Sequence, residues 1–292
     1  MLQELFRRNK FILTSEVHPP RSASLDGLRK DLKRMRVDAI NVVDMSGAYQ
    51  MMSPLPAAIA VKQAGKEPIM QVACRDRNVL ALQGDLLGAA AFGIRNILAI
   101  TGDSPAIGDA KEAKGVFHLN SLSLLELIRT LNSGKTFNGH RLFSEPPGFF
   151  TGAGINMNSP QLEFEARKTK QKLERGAQFF QTQVIFNPEN AGRFFEIYEK
   201  LHKEDIRNKV LLGIVLLHAG WLIDILKGLP GVSIPPQDEK RVKSAKDPVA
   251  EGVAIALETS DKLKAYGVAG LHVIPAENID ALELFCKEYG KC

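Results

Sequence analysis

The chain has 292 residues, of which 45% are apolar and 24% charged, and its net charge at neutral pH is +5. This is the composition of an ordinary globular protein, and the length suits one large domain. The positive charge is scattered along predicted helices among acidic residues rather than gathered in a basic stripe, which argues against nucleic-acid binding and suits an anionic small ligand.

The predicted elements alternate along the chain between apolar runs and amphipathic helical patterns. We predict eight strands, at about 11–17, 39–44, 68–74, 96–101, 150–156, 179–186, 210–217 and 270–274. We predict helices between and after them, near 26–36, 54–65, 78–92, 119–133, 161–175, 191–204, 219–228, 247–266 and 278–288. Gly93, Gly176 and Gly267 follow helical patterns at positions typical of a left-handed cap.

Strands that alternate with helices predict right-handed crossovers and a parallel sheet. The strands are nearly continuous in apolar character, and no Gly-x-Gly-x-x-Gly follows the first of them. The pattern therefore favours a single (β/α)8 barrel, a TIM barrel spanning 1–292, over an open doubly wound sheet. Two longer excursions, 102–118 and 229–246, are predicted to be lids or ligand-binding loops.

Polar side chains stand near the ends of three predicted strands. Glu16 closes the first, Asp103 follows the fourth, and Gln183 lies in the sixth. Because the C-terminal ends of parallel barrel strands share one mouth, these side chains should face a single pocket, and that mouth is where barrels carry out chemistry. The sequence therefore predicts an active site.

Glu16 opens the segment 16–21, which reads EVHPPR. We expect burial at the strand end to raise its pKa, so that it holds a proton near neutral pH. The alternative is a structural carboxylate paired with Arg21 or another arginine. The two prolines stiffen the turn, which suits a group that must be held in place.

The other two positions also have two interpretations each. Gly102 permits close approach of a ligand to the backbone, and Asp103 is either a ligand contact or an ordinary turn residue, which by itself is the favoured interpretation. Gln183 is expected to be a buried amide that binds a heteroaromatic ligand or is satisfied inside the barrel. Its polar neighbours, including Gln181, favour the ligand.

A further polar segment, 74–78, ends the third strand and starts a helix. Arg75 and Arg77 are candidates for binding phosphate or carboxylate at the helix N-terminus, and the alternative is a pair of solvated arginines beside an ordinary N-cap. Cys74 is interpreted as a small core residue rather than a nucleophile.

Several classes of protein are excluded by what these residues lack. The three cysteines have neither the even number of a disulfide scaffold nor zinc spacing, and the histidines show no metal-ligand spacing, so we predict no metal site. The first residues lack the apolar core of a signal peptide. The longest apolar stretch is too short to span a bilayer. We therefore predict a cytoplasmic protein.

Together these segments resemble the methylenetetrahydrofolate reductase family, flavin-dependent barrels of folate one-carbon metabolism. The resemblance runs along nearly the whole chain in order. It is carried by the Glu-x-x-Pro-Pro-Arg motif at Glu16, the Gly102-Asp103 pair, the Gly-Ala-x4-Thr-Gln-x2-Phe pattern at 176–186, and the segment 74–78.

The resemblance implies reduction of 5,10-methylenetetrahydrofolate to 5-methyltetrahydrofolate, or the reverse, by hydride transfer from reduced FAD. Glu16 matches the family's general acid, and Asp103 matches the carboxylate near the flavin that also faces the folate. Gln183 matches the residue that contacts folate. Lys172 matches a position near the flavin phosphates.

Some positions depart from the family's common pattern. Gln71 stands where relatives commonly have His beside the flavin, and Thr101 stands where an Arg often precedes Gly102. Glu165 and Lys168 replace Asp and Asn on the helix before strand six. Gln71, Thr101, Gly102 and Lys168 remain expected flavin contacts, with FMN as the alternative to FAD.

The resemblance leaves the electron donor open between NAD(P)H and a partner subunit, and it is compatible with an oligomer. The main alternative function is a pterin-binding barrel or methyltransferase-type subunit without redox activity, and a third is a non-catalytic subunit. Flavin absorbance of the purified protein separates the first function from the other two.

Overall fold

The computed structural model describes residues 2–227 and 232–290, and its centre is a closed barrel of eight parallel strands. In chain order, which is also their order around the barrel, the strands are β1 (Ile12–Val17), β2 (Ala39–Val42), β3 (Pro68–Ala73), β4 (Asn96–Ile100), β5 (Phe150–Ile155), β6 (Phe179–Val184), β7 (Val210–Val215) and β8 (Gly270–Ile274). The predicted (β/α)8 barrel is confirmed.

Helices precede, connect and follow the strands. They are α1 (Leu2–Arg7), α2 (Asp26–Arg34), α3 (Pro54–Gln63), α4 (Val79–Ala91), α5 (Ser121–Asn132), α6 (Leu162–Glu174), α7 (Pro188–His202), α8 (Gly220–Lys227), α9 (Pro236–Ser244), α10 (Pro248–Lys264) and α11 (Ile279–Glu288). The sequence analysis missed α1 and α9. Of the predicted excursion 229–246 and helix 219–228, residues 228–231 lie outside the described part.

The short helix α1 closes the N-terminal end of the barrel. Leu2 is buried among the first residues of the strands. The Phe6 ring lies 5.5 Å from the Phe150 ring and 5.6 Å from the Phe179 ring, between ring centroids. Because apolar side chains fill this end, the cavity that remains is at the C-terminal mouth.

The strand β6 is irregular where it approaches the mouth. Its pairing with β7 shifts register between Gln181 and Val184. The Thr182 hydroxyl accepts a hydrogen bond from the Gly213 amide at 2.8 Å, and a Cβ at Gly213 would lie 2.7 Å from the Thr182 carbonyl oxygen. The close approach therefore requires glycine at 213, and the bulge exposes Gln183 at the mouth.

No helix within residues 2–227 and 232–290 is long and apolar enough to cross a bilayer.

Candidate active site

A cavity of about 460 Å³ opens at the C-terminal mouth of the barrel. Its volume lies within the range of small-molecule sites, and its position is the one where barrel enzymes bind substrates. It is lined by residues from most of the strands and their following loops, including Glu16, Gln71, Arg75, Gly102, Asp103, Lys168, Lys172, Gln181, Gln183 and His272. Three strand-end side chains predicted to share a pocket, Glu16, Asp103 and Gln183, do line one cavity.

The Glu16 carboxylate lies between two histidines. Its Oε2 atom is 3.3 Å from Nε2 of His272, and its Oε1 atom is 3.7 Å from Nε2 of His18. The other ring nitrogen of His272, Nδ1, lies 3.0 Å from the Thr14 hydroxyl. The ring of His272 is therefore held at both nitrogens, with Nε2 aimed at the carboxylate.

The two histidines reverse the pKa shift that we expected for Glu16. Burial alone would raise the pKa, but the hydrogen bond with His272 and the positive charge of His272 and His18 outweigh it and lower the pKa to about 2. The expectation of a raised pKa was therefore wrong. At neutral pH Glu16 is ionised, so any proton it delivers must first come from a neighbouring group.

The barrel interior beneath Glu16 contains a small polar network. The side-chain amides of Gln181 and Asn41 form two hydrogen bonds with each other, at 2.6 and 3.1 Å. Nε2 of Gln181 also donates to the Thr14 hydroxyl at 3.4 Å. Thr14 in turn contacts His272, so this network fixes the floor of the cavity and the histidine that orients Glu16.

Gln183 does not have the buried environment that we expected. Its side chain is exposed at the mouth, and the buried amide that the barrel interior satisfies is that of Gln181. Asp103 is also exposed, and its Oδ2 atom accepts a hydrogen bond from the Gly47 amide at 3.1 Å. Both side chains line the cavity at its open rim, where an entering ligand meets them first.

The two arginines of segment 74–78 are engaged by protein groups. Arg75 is buried, with its guanidinium donating to the Asp76 carboxylate and to the Met45 carbonyl oxygen. Arg77 binds Asp44 and, at 2.7 Å, Asp85. The predicted alternative of solvated arginines is wrong. Arg75 lines the cavity, Arg77 does not, and neither guanidinium group is a free anion clamp.

A buried lysine supplies positive charge to the cavity. Nζ of Lys172, on α6, donates to the Gly154 carbonyl oxygen at 2.5 Å and lies 3.8 Å from the Glu165 carboxylate. Burial lowers the pKa of Lys172 to about 8, with the charge of Glu165 opposing this effect and that of Lys168 adding to it. Lys172 is thus mostly protonated at neutral pH, and Lys168 lines the same cavity.

The remaining predicted contacts differ in their placement. Gln71 on β3 and Gly102 line the cavity. Gly102 has φ of +90° and lies against the Arg75 and Ala73 side chains, so a Cβ there would be 2.9 Å from Cβ of Arg75. Thr101 instead accepts a hydrogen bond from the Ser121 amide at 3.1 Å, at the start of α5. Its hydroxyl serves that helix rather than the cavity.

Sequence reasoning missed His18 and His272 as partners of Glu16. The signal for His272 was a polar residue inside the predicted eighth strand, since closure of the barrel pairs β8 with β1 and sets His272 beside Thr14. The signal for His18 was its place two residues after Glu16, before a stiff Pro-Pro turn.

The closed parallel barrel and its polar mouth define a class: a barrel with an enzyme-type site at the C-terminal ends of the strands. A family model described as methylenetetrahydrofolate reductase matches residues 1–290. The chain belongs to this family, and the resemblance predicted from the sequence is confirmed.

Two curated relatives come from Schizosaccharomyces pombe. Methylenetetrahydrofolate reductase 1 is 26% identical over 294 residues, covering 97% of this chain and 46% of the relative. Methylenetetrahydrofolate reductase 2 is 24% identical over 182 residues, covering 61% of this chain and 27% of the relative. The chain thus spans less than half the length of either relative.

Two solved structures share the fold. One is an uncharacterized protein from Clostridium thermocellum that binds two copies of 5-methyl-5,6,7,8-tetrahydrofolic acid, with a TM-score of 0.69, 15% identity, and coverage of 99% of this chain and 98% of that chain. The other is the oxygenating constituent of 3,6-diketocamphane monooxygenase from Pseudomonas putida in complex with FMN, with a TM-score of 0.58, 13% identity, and coverage of 95% and 98%.

Proposed function

We propose that this protein is a flavin-dependent methylenetetrahydrofolate reductase, which interconverts 5,10-methylenetetrahydrofolate and 5-methyltetrahydrofolate. The observation that carries the proposal is that one mouth cavity gathers Glu16, Asp103, Gln183 and the buried cation Lys172 in a chain of this family. A folate-binding neighbour and an FMN-binding neighbour with the same fold are compatible with it.

The residues around the cavity fit a flavin. A buried Lys172 beside Lys168 offers positive charge for phosphate groups, and Gly102 places backbone without a side chain at the cavity wall. Gln71 offers an amide donor and acceptor on the same wall. When bound, the flavin supplies hydride chemistry. FAD is the proposed form, with FMN as the alternative.

The protein's own residues would handle the folate and the proton. Gln183 and Asp103 stand at the exposed rim, where they can hydrogen-bond the pterin ring of an entering folate. Glu16 lies deeper, beside His272, and would deliver the proton that assists opening of the folate's five-membered ring. Since Glu16 is ionised at rest, its proton must come from an adjacent imidazolium as the substrate's nitrogen develops charge.

A direct experiment tests the proposal. One sample of the purified protein is denatured, and the released cofactor is identified by chromatography. A second, native sample is reduced and mixed with methylenetetrahydrofolate while the flavin absorbance is followed. We expect FAD or FMN and rapid reoxidation. A colourless protein that binds 5-methyltetrahydrofolate would instead support the alternative, a pterin-binding barrel or methyltransferase-type subunit without redox activity, which the folate-binding neighbour favours.

The electron donor is proposed to be NAD(P)H or a partner subunit, and an oligomer is compatible with the fold. Mixing the oxidised protein with NADH or NADPH distinguishes the two donors. Bleaching of the flavin identifies direct use of the nucleotide, and no bleaching indicates that a partner is required.

Lys172 gives a prediction that depends on pH. Replacing Lys172 with alanine should weaken flavin retention roughly 10- to 100-fold, the effect of one hydrogen bond to a charged group. In the wild-type protein, retention should fall as pH rises through about 8, because the amine then loses the charge that attracts phosphate. Equilibrium dialysis or flavin fluorescence measures both effects.

Lys170 provides the matched control for Lys172. It lies on the same helix, but its Nζ atom donates to the Glu204 carboxylate at 2.6 Å, away from the cavity. Lys170→Ala should therefore retain flavin as the wild type does. Equal flavin content in Lys172→Ala and Lys170→Ala would contradict the assignment of Lys172.

A further inference from the structure

Glu16 forms the wall between two cavities. On one side is the mouth cavity, and on the other is a second cavity of about 270 Å³ between the end of β1, the helix α2 and the turn that joins β8 to α11. Across the part of the chain that the structure describes, Glu16 lines both of them. A group in the second cavity can therefore reach this carboxylate without passing through the substrate site.

His18 is the basic group of the second cavity. Its Nε2 atom faces Oε1 of Glu16 at 3.7 Å, and its Nδ1 atom lies 2.8 Å from Oε1 of Glu277. The His18 side chain is 27% exposed, so water reaches it. One imidazole thus connects an exposed carboxylate and solvent to the carboxylate at the back of the substrate site.

The local backbone holds this arrangement in place. Pro19 directly follows His18, and the opposing turn contains two successive non-glycine residues in the left-handed region, Ala276 at φ of 47° and Glu277 at φ of 65°. Such residues are uncommon and cost energy, so they persist only where the surrounding structure holds the backbone in place. His218 contacts the Ala276 carbonyl oxygen at 3.2 Å and helps to fix the turn that carries Glu277.

His272 differs from His18 in its access to water. Its side chain is 5% exposed, and its two ring nitrogens face Glu16 and the Thr14 hydroxyl. It can hold the Glu16 carboxylate in position, but it does not itself line the second cavity. Only one of the two histidines beside Glu16 therefore lies where it can exchange protons with solvent during turnover.

We propose that His18 supplies protons to Glu16 from the second cavity, so that Glu16 receives each proton from behind while substrate fills the mouth cavity in front of it. The inference rests on the proposed function, since the proton is consumed when the folate ring opens. As the folate nitrogen develops charge, the Nε2–H bond of the His18 imidazolium breaks and an O–H bond forms on Glu16. That proton passes on to the nitrogen, which returns Glu16 to its carboxylate form. The neutral ring then takes a proton from a hydronium ion or a buffer acid, which reaches it through the second cavity.

The charges around His18 favour its protonated form. The titratable groups lining the second cavity with it are Glu16 on β1, Asp31 on α2 and Glu277 on the turn before α11. Burial lowers the pKa of His18, but Glu16 and Glu277 outweigh this and raise it above its ordinary value of 6.5. A reaction that needs the imidazolium should be fast below this raised pKa and slow as pH rises through it.

The test is chemical rescue. His18→Ala should slow folate-dependent flavin oxidation about 10²-fold, the lower end for a proton-transfer group, and added imidazole should restore most of the rate in a saturable manner. His140→Ala, at an exposed histidine between α5 and β5, is the matched control and should behave as wild type without responding to imidazole. If His18→Ala does not fold, His18→Gln takes its place. We then expect a lower rate, and a rate that no longer falls as the pH rises through the pKa of His18.

A second measurement tests, without turnover, whether Glu16 and Glu277 raise the pKa of His18. The imidazole signals of His18, followed by NMR across pH, should titrate above the ordinary value, and at lower pH in Glu277→Gln or Glu16→Gln. The alkaline limb of the rate profile should move with them in Glu277→Gln. A wild-type rate in His18→Ala, a loss that imidazole leaves unchanged, or a His18 pKa indifferent to both carboxylates would overturn the inference. Failure of the wild-type protein to oxidise its flavin with folate would instead overturn the proposed function.

Discussion

Replacing Glu16 with glutamine should abolish folate-dependent oxidation of the reduced flavin while the flavin stays bound. Glutamine keeps the size of the side chain and can still accept a hydrogen bond from His272, but it cannot take up and deliver a proton. Groups that transfer protons typically contribute about 10²–10⁴-fold in rate, and we expect a loss of that order or larger. Stopped-flow reoxidation of the reduced protein by methylenetetrahydrofolate measures it.

Two controls separate this effect from damage to the fold. Reduction of the flavin by its electron donor needs no proton from Glu16 and should proceed as in the wild type. Glu126→Gln, on the outer surface of α5 where Glu126 pairs with Arg175, should leave both half-reactions unchanged. If Glu16→Gln reoxidises at the wild-type rate, Glu16 is structural and the proposed mechanism is wrong.

The sequence carried enough information to predict the barrel and the position of its site. The alternation of apolar runs and amphipathic helices predicted all eight strands, because buried parallel strands must be apolar on both faces. Polar residues at or just after the C-terminal ends of such strands lie at the shared mouth of the barrel, and Glu16, Asp103 and Gln183 line the cavity there. In contrast, α1 has only six residues, too few for a helical period to be recognised.

The errors concern interactions between residues that are distant in the chain. The pKa of Glu16 depends on His272, 256 residues away, which reaches it only because β8 closes against β1. Desolvation could be foreseen from the strand position, but the contact with His272 depends on closure of the barrel and the local signal of His18 was overlooked, so the predicted sign was wrong. Likewise, simple alternation does not reveal the bulge that exposes Gln183 and buries Gln181.

The second large effect concerns Asp44, at the end of β2. Asp44→Asn should destabilise the protein by about 3–5 kcal/mol, because it removes the charge that pairs with the largely buried Arg77 guanidinium. The Asp44 carboxylate also accepts from the Ala73 amide at 2.8 Å, which joins the ends of β2 and β3 below the mouth. With an unfolding entropy of about 2.1 cal/mol/K per residue, the melting temperature should fall by about 5–8 °C.

Asp85 offers a control on the other side of the same guanidinium. Its side chain is 39% exposed and lies 2.7 Å from Nη1 of Arg77. Water can replace an exposed partner, so Asp85→Asn should cost less than about 1 kcal/mol. Both variants are compared with the wild type by calorimetry. Equal losses would mean that the burial of Asp44 is not what makes this pair important. A large loss confined to Asp44→Asn would instead identify the Asp44–Arg77 pair as the interaction that holds the β2 and β3 ends together beside the cavity.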